Sequence, residues 1–281
     1  MGFLNAAREN GVTRMSLRII EWPDFLKDPD PESAAMTIGV FDGVHLGHRS
    51  LIGKIVIRGP NPTVVTFREN PKKVAAASGN TAAFEGDLYS LRQKLLVFES
   101  LGVSRVILID FSPEFSKLKG LEFLDLLEER AKVAFLAIGC NFRCGFRQDA
   151  DAVFIKEING RRGIPTELVQ PVTLQSEPVS SSRLRSAVIS GGLELAASLA
   201  GRNFCLDLSD IKPVSSGSDE RKFVYDLRSV QRITPAAGSY SVVINPGGMT
   251  CRAYTENGKV FLPFRAESLE FIQAAGNSNQ F

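Results

Sequence analysis

Apolar positions along the chain alternate between two patterns: short runs that are apolar almost throughout, and longer stretches in which apolar residues recur every three or four positions. Met36-Thr37-Ile38, running on to Val40, reads as a buried strand, and Leu46, Ile52, Ile55 and Val56 mark a helix that begins near Gly47. Thr63 to Phe67 is a second buried strand, followed by polar Arg68 to Lys73 and by small, irregular Ala75 to Gly86, which reads as a mobile loop. Leu88, Leu91, Leu95, Leu96 and Phe98 mark a helix that stops at Gly102. Val103 to Phe111 and Val133 to Gly139 read as strands, with a helix over Glu122 to Lys132 between them. Asp149 is placed to cap a helix carrying Val153, Phe154 and Ile158, and Thr166 to Val169 is a fifth short strand. Ahead of all these, Trp22 to Ser33 is rich in proline and acid and reads as a connector.

Strands alternating with helices predict an α/β fold with an open, mostly parallel sheet. Ligands of such sheets bind beyond the strand carboxyl ends, so Gly39 to His48, Phe67, Phe111 and Asn141 are expected at one rim. From about residue 204 the pattern changes to a small β-rich module. Lys222 to Arg232, Gly238 to Asn245, Met249 to Tyr254 and Lys259 to Leu262 read as strands, with Asn257-Gly258 as a hairpin turn. A short helix over Ala266 to Ala274 and a polar tail close the chain.

Both histidines of the chain fall in Gly39-Val40-Phe41-Asp42-Gly43-Val44-His45-Leu46-Gly47-His48. A strand, a glycine-punctuated turn and a helix start bring backbone N–H groups and the positive end of a helix dipole to one point, which suits phosphate. Gly39 and Gly43 allow close approach of a bulky ligand. One histidine beside a turn reads as ordinary; two in H-x-G-H, with none elsewhere, read as functional. A second phosphate clamp is suggested by Ser180-Ser181-Ser182-Arg183-Leu184-Arg185, where hydroxyls and two arginines precede a helix. Gly191-Gly192 and Gly201 bound a further helix over Leu193 to Leu199.

Composition narrows the picture. The 281 residues carry a net charge of only +2, so no strong basic field points to nucleic acid or a membrane surface. Cys140 and Cys144 have a C-x3-C spacing but no accompanying histidine or second pair; they read as small buried residues near a strand end rather than zinc ligands. Four cysteines in all fit a reducing cytoplasm. Met1 to Arg14 lacks the apolar core of a secretory signal and reads as an extra or disordered segment, with Met15 an alternative start.

From Met36 to Phe204 the ordered blocks G-x-F-D-G-V-H-x-G-H, V-V-T-F, I-D-F, G-x-N-F-x-x-G, S-S-S-R-L-R and A-x-L-A-G-R resemble the adenylyltransferase module of bacterial FAD synthetases. H-x-G-H alone would mark only the nucleotidyltransferase superfamily. The resemblance implies a Rossmann-like nucleotidyltransferase over residues 15–203, a reduced β-barrel-like domain over 204–281, and transfer of AMP from ATP to FMN, giving FAD and pyrophosphate. FMN is then a substrate, FAD a product, and Mg2+ accompanies ATP. His45, His48, Asn141, Ser181 and Arg183 become the catalytic residues. ATP is expected at Gly39, Val40, Phe41, Gly43, His45, Gly47, His48, Ser180, Ser181, Ser182, Arg183 and Arg185, and flavin at Phe67, Pro71, Phe111, Asn141, Phe142 and Gly145. Asp42 is expected either to brace the turn or to join the chemistry. Metal ligands and oligomeric state are not specified.

The chain departs from the family pattern in three places. Where relatives carry Pro-x-Pro or Pro-His-Pro, it has Arg68-Glu69-Asn70-Pro71, and Cys144 replaces a common aromatic. The bifunctional members continue into a riboflavin kinase barrel with a P-T-x-N signature; here 77 residues follow Phe204 and none forms that signature. The expectation is therefore an FMN adenylyltransferase without kinase activity. The rivals are a bifunctional enzyme with a degenerate kinase site, an H-x-G-H transferase acting on another phosphate, and a non-catalytic flavin or nucleotide sensor.

Overall fold

The computed structural model describes residues 17–274, apart from 31, 78, 80–83 and 216–220. The expectations for Met1 to Arg14 and for the polar tail lie outside the described residues, as do 78 and 80–83 of the expected loop from Ala75 to Gly86; its first three residues, Ala75–Ala77, are not loop but the end of a helix. By their contacts the described residues divide into two units. One holds residues up to Phe84 and Lys94–Pro178; the other holds Glu85–Gln93 and everything from Val179 onward. Residues 179–203, grouped with the transferase module in the sequence reading, thus cluster with the C-terminal strands.

In the first unit the strands are β1 (Arg18–Glu21), β2 (Ala34–Ile38), β3 (Thr63–Phe67), β4 (Arg105–Ile109), β5 (Val133–Gly139) and, beyond the antiparallel two-residue pair β6 (Arg143–Cys144) and β7 (Ala150–Asp151), β8 (Thr166–Val169). They form one sheet in the order β1-β4-β3-β2-β5-β8, with every neighbouring pair parallel. The helices are α1 (Trp22–Lys27), α2 (Leu46–Arg58), α3 (Pro71–Ala77), α4 (Leu91–Ser100), α5 (Gly120–Ala131) and α6 (Ala152–Arg161); the first turn of α4 belongs to the second unit. A two-residue hairpin, β9 (Thr173–Leu174) with β10 (Glu177–Pro178), ends this unit. All five residues of β2 and of β4 are buried, as strands in a sheet covered on both faces require, and apart from Thr37 and Arg105 they are apolar.

Met36 and Ile38 on β2 join Val65, Ile107, Ile109, Leu136 and Ile138 in a core closed by Trp22 and Phe25 of α1, by Phe123, Leu124 and Leu127 of α5, and by Ile155 of α6. The expected connector therefore contains a helix. Pro23 sits in its first turn, where a missing N–H costs nothing, and Trp22 and Phe25 bury the same face. β1 adds a sixth parallel strand on the outer side of β4. The cap of α6 also differs from expectation: Asp151 accepts from Phe154 N–H at 2.9 Å, while Asp149 accepts from Gly120 N–H at 2.9 Å.

The strand order reverses at β2. Successive strands β2, β3 and β4 run to one side, whereas β5 and β8 lie on the other. The crevice beyond the carboxyl ends of β2 and β5 is therefore the topological switch point, where open α/β sheets take their ligands. Gly39 and Cys140 are the first residues beyond those two ends.

The second unit carries α7 (Ser181–Ile189), α8 (Leu193–Ala200) and the strands β11 (Cys205–Asp207), β12 (Val214–Ser215), β13 (Phe223–Asp226), β14 (Gly238–Asn245), β15 (Met249–Glu256), β16 (Lys259–Leu262) and β17 (Ser268–Ala274). These strands make one antiparallel sheet in the order β11-β17-β14-β15-β16-β13-β12. Asn257-Gly258 joins β15 to β16 as the sequence predicts, with Asn257 at φ 50° and Gly258 at φ 73°. Residues 266–274 do not form the expected helix. Ser268–Ala274 is a strand hydrogen-bonded on both sides, to β11 and to β14. Two waiting strand edges outweigh the helix propensity of its Ala, Glu and Leu residues.

Residues 85–93 are tied firmly into this unit. Asp87 N–H donates to Gln231 O at 2.8 Å, Gln93 Nε2 to Cys205 O at 2.9 Å, and Arg92 to Asp207 Oδ1 at 3.1 Å. Burial pushes the Asp207 carboxyl up, but hydrogen bonds from Ser90 and Ser209 and the charge of Arg92 outweigh it and hold the group below the usual carboxylate range.

Candidate active site

Beyond the end of β2 the backbone makes an unusual sequence of turns. Gly39 N–H donates to Val65 O at 3.1 Å, and then Phe41, Gly43 and Val44 take φ of 54°, 73° and 36°. Glycine accepts such a conformation freely; a β-branched valine does so only where its surroundings force it. The Phe41 ring supplies part of that force. It is fully buried, edge-on to Phe98 at 5.6 Å and to His48 at 5.0 Å. Phe41 and Gly39 were both expected to face ATP, with Gly39 leaving room for ligand. Instead a Cβ at Gly39 would lie 3.1 Å from the Phe41 ring, so the room is filled by the protein itself.

The turn delivers His45 as the N-cap of α2, its Nδ1 accepting from His48 N–H at 3.4 Å. His45 is buried and His48 half-buried, and their rings stack with centroids 3.7 Å apart and planes 18° apart. Gly47 lies between them in the first turn of the helix. Two imidazoles thus sit at the positive end of a thirteen-residue helix, at the switch point of the sheet. This arrangement can bind and stabilise a phosphoryl group as negative charge builds on it.

A family model described as FAD synthetase matches residues 27–183, more than half of the chain. The protein is an enzyme of the FAD synthetase family. The Escherichia coli bifunctional riboflavin kinase/FMN adenylyltransferase is 27% identical over 233 residues, which cover 81% of this chain and 73% of that protein. The Pseudomonas fluorescens protein of the same description is 29% identical over 181 residues, 63% of this chain and 57% of its own. Among solved structures, one titled as a macrolide-efflux protein from Streptococcus pneumoniae superposes with a TM-score of 0.74. It covers 94% of this chain and 93% of its own at 19% identity, and so shares the fold.

Within this FAD synthetase chain, aromatic side chains gather beyond β3 and β4. Phe67 meets Phe111 at 5.8 Å and Phe115 at 5.9 Å, and Phe115 reaches Trp22 and Phe123 in the core. Phe142, beyond β5, is half-buried against the same core. Phe115 was missed by sequence reasoning, although it stands four residues past Phe111 in I-D-F-S-P-E-F. Pro71 opens α3, behind the buried Asn70, whose Oδ1 accepts from Lys72 N–H at 3.1 Å. Arg68, in the altered proline position, is paired. Its guanidinium reaches Glu21 and, at 3.0 Å, Asp110, so it links residues at the ends of β1, β3 and β4. The hydrogen bond to Glu21 is the main reason its pKa is raised.

Asn141 is exposed beside the end of β5, next to Cys140, whose N–H donates to Val169 O at 3.0 Å. Gly145 has a packing explanation: at φ 83°, a Cβ there would fall 2.2 Å from Gly120 N. Cys144 is half-buried, and burial, with the charge of Asp149 adding to it, pushes its thiol up to about 12. Among the described residues no group of three or more His, Cys, Asp and Glu is placed to hold a metal, and no helix is long and apolar enough to cross a membrane.

The serine–arginine segment belongs to the second unit. Ser180 caps α7, its Oγ accepting from Arg183 N–H at 3.2 Å, and Ser181 and Ser182 form the first turn. Arg183 is half-buried. Arg185 is buried, with its Nε donating to Gly86 O at 3.2 Å. A further residue that sequence reasoning missed is Lys94 on α4. It is buried, donates to Phe67 O at 3.0 Å and reaches Val40 O at 3.5 Å. The signal was a lysine four residues before Phe98 on the apolar face of a helix.

Proposed function

We propose that this protein joins AMP from ATP to the phosphate of FMN, giving FAD and pyrophosphate, and does not phosphorylate riboflavin. An FMN phosphate oxygen attacks the α-phosphorus in line; the new P–O bond forms as the bond to pyrophosphate breaks, and no covalent enzyme intermediate is needed. Catalysis is then positioning and charge stabilisation. His45 and His48 donate to the phosphoryl oxygens as charge develops, with the N-terminus of α2 behind them. Phe67, Phe111, Phe115 and Phe142 offer flat apolar walls for the isoalloxazine ring, and Asn141 contacts substrate. On the sequence resemblance, Ser181, Ser182 and Arg183 take the β- and γ-phosphates. Arg185 suits the role of a brace for Gly86 better than that of a phosphate ligand. Mg2+ bound with ATP would offset the negative charge of the triphosphate. The enzyme works in the reducing cytoplasm, to which four unbridged cysteines are suited.

The observation that carries this reading is the pair of stacked histidines at the head of α2, at the switch point of the sheet. A second reading, in which riboflavin kinase activity survives, is favoured by the bifunctional description of the relatives. It is opposed by the sequence of the antiparallel strands β11 to β17 and their connections, in which no P-T-x-N segment occurs. One assay separates them: ATP and Mg2+ are supplied with riboflavin or with FMN, and riboflavin, FMN and FAD are resolved by chromatography. FAD from FMN alone is the expected result. FMN or FAD from riboflavin establishes the second reading, and no product from either overturns both.

A further inference from the structure

We propose that Lys94 and Phe98, one turn apart on α4, form a brace that holds the histidine turn in its strained shape, with Lys94 as a positioning residue for the reaction. The inference deepens the functional reading above and, for its kinetic arm, rests on it. Three observations carry it. The turn is strained, since Phe41 and Val44 hold φ of 54° and 36°, and such a backbone persists only where its surroundings over-determine it. The base of the turn is pinned: Val40 O accepts from Thr66 Oγ1 at 3.2 Å and is approached by the Lys94 ammonium at 3.5 Å. Its first residue is wedged, because Phe98 meets the buried Phe41 ring edge-on at 5.6 Å, and that ring in turn contacts His48 at 5.0 Å.

Lys94 also donates to Phe67 O at 3.0 Å, so one ammonium ties together the ends of the two adjacent strands that carry the histidine turn and the aromatic cluster. Burying a lysine is costly unless its hydrogen bonds are satisfied, and a neutral side chain of similar length would fill the space without that cost. Its gain is geometric: it fixes Val40 O relative to Phe67 O, and with it the starting point of a turn whose histidines must meet substrate within a fraction of an ångström.

The test uses the fact that the chain has only two histidines, both in this turn. Histidine-selective isotope labelling gives an NMR spectrum with imidazole signals from His45 and His48 alone. In Lys94→Met both sets of signals should move, kcat should fall by about tenfold to a hundredfold, and the KM values for ATP and FMN should stay within about threefold. Lys94→Arg, which keeps a donor, should restore most of the loss. Leu127→Ala, a cavity variant in α5, serves as a control that is destabilised without disturbing the turn. Imidazole signals and kcat unchanged in folded Lys94→Met, or no greater change than in the control, overturn the brace. If Lys94→Met does not fold, Phe98→Leu decides: the same signature in weaker form supports the brace, and unmoved imidazole signals overturn it. Should the wild type make no FAD, the functional reading fails, while the NMR comparison still decides the brace.

Discussion

His45 and His48 act as one structural unit: their rings stack at 3.7 Å, and the Nδ1 of the first accepts the backbone N–H of the second. While Nδ1 accepts, the neutral His45 ring carries its proton on Nε2, so that one imidazole caps a helix and, in the proposed reaction, also donates to the phosphoryl group.

That double role shapes the first prediction. His45→Ala should lose the cap, costing about 1 kcal/mol of stability, and a transition-state donor, costing about 10²–10³ in kcat. His45→Asn keeps a good capping oxygen and should melt close to the wild type, yet remain nearly as slow as the alanine variant. His48→Ala should also lower kcat much more than it weakens FMN binding. Steady-state kinetics beside thermal melts check this, and near-full turnover in His45→Asn would remove the catalytic role.

Arg183→Ala should raise the KM for ATP about tenfold and slow the chemistry, since a charge-assisted contact to phosphate is worth about 1.5–3 kcal/mol. Ser180→Ala serves as its partner experiment. That variant loses the cap of α7 and about 1 kcal/mol of stability, with a smaller effect on ATP. Unchanged ATP kinetics in Arg183→Ala would take the serine–arginine segment out of the reaction.

The parts of this molecule written in local pattern were legible. β2, β3 and β5 fill runs that are apolar almost throughout, the Asn257-Gly258 turn makes its hairpin, and the histidine stretch starts a helix as its glycines and spacing imply. Elements decided by distant partners were not. Ser268–Ala274 has helical residues but is flanked by two strand edges, and Trp22–Lys27 is a single turn and a half that only its buried Trp22 and Phe25 justify. In the site, residue types with obvious chemistry stood out, whereas Lys94 did not. Its importance lies in the carbonyls of Val40 and Phe67, and backbone atoms leave no trace in a sequence pattern.

Cysteine chemistry offers a test away from the histidines. Burial pushes the Cys144 thiol up to about 12, helped by Asp149, and burial does the same to Cys205, with Glu270 adding and Arg202 opposing, again to about 12. At pH 8 roughly one molecule in 10⁴ then carries either thiolate, and the thiolate is the nucleophile. Brief iodoacetamide treatment of the folded protein should leave both unmodified, and the same treatment in urea should alkylate both. Mass mapping reads the result; alkylation of Cys144 at the rate of a free cysteine would contradict the packing described around it.

Asp30 and Arg105 provide a control for stability without catalysis. The pair is buried near the start of β4, at the opposite end of the sheet from the histidine turn, and Arg105 also donates to Thr63 Oγ1 at 3.2 Å. Burial pushes the Asp30 carboxyl up, but the Glu32 N–H, the Arg105 hydrogen bond and the charges of Arg105 and Arg18 outweigh it, so its pKa lies below the ordinary 3.8. Removing one partner leaves the other charge buried, so Asp30→Asn should cost about 3 kcal/mol at neutral pH. The sign with pH follows from the lowered value. The native state binds that proton more weakly than the unfolded chain, so the stabilisation is complete above 3.8 and disappears as pH falls through the native pKa. Denaturant melts should therefore show wild type and Asp30→Asn far apart at pH 7 and converging in strong acid. Across the neutral range kcat should match, because the end of the sheet that holds the pair takes no part in the chemistry. A gap that stays constant into acid, or a lowered kcat in folded Asp30→Asn, would show that the carboxylate does something other than neutralise Arg105.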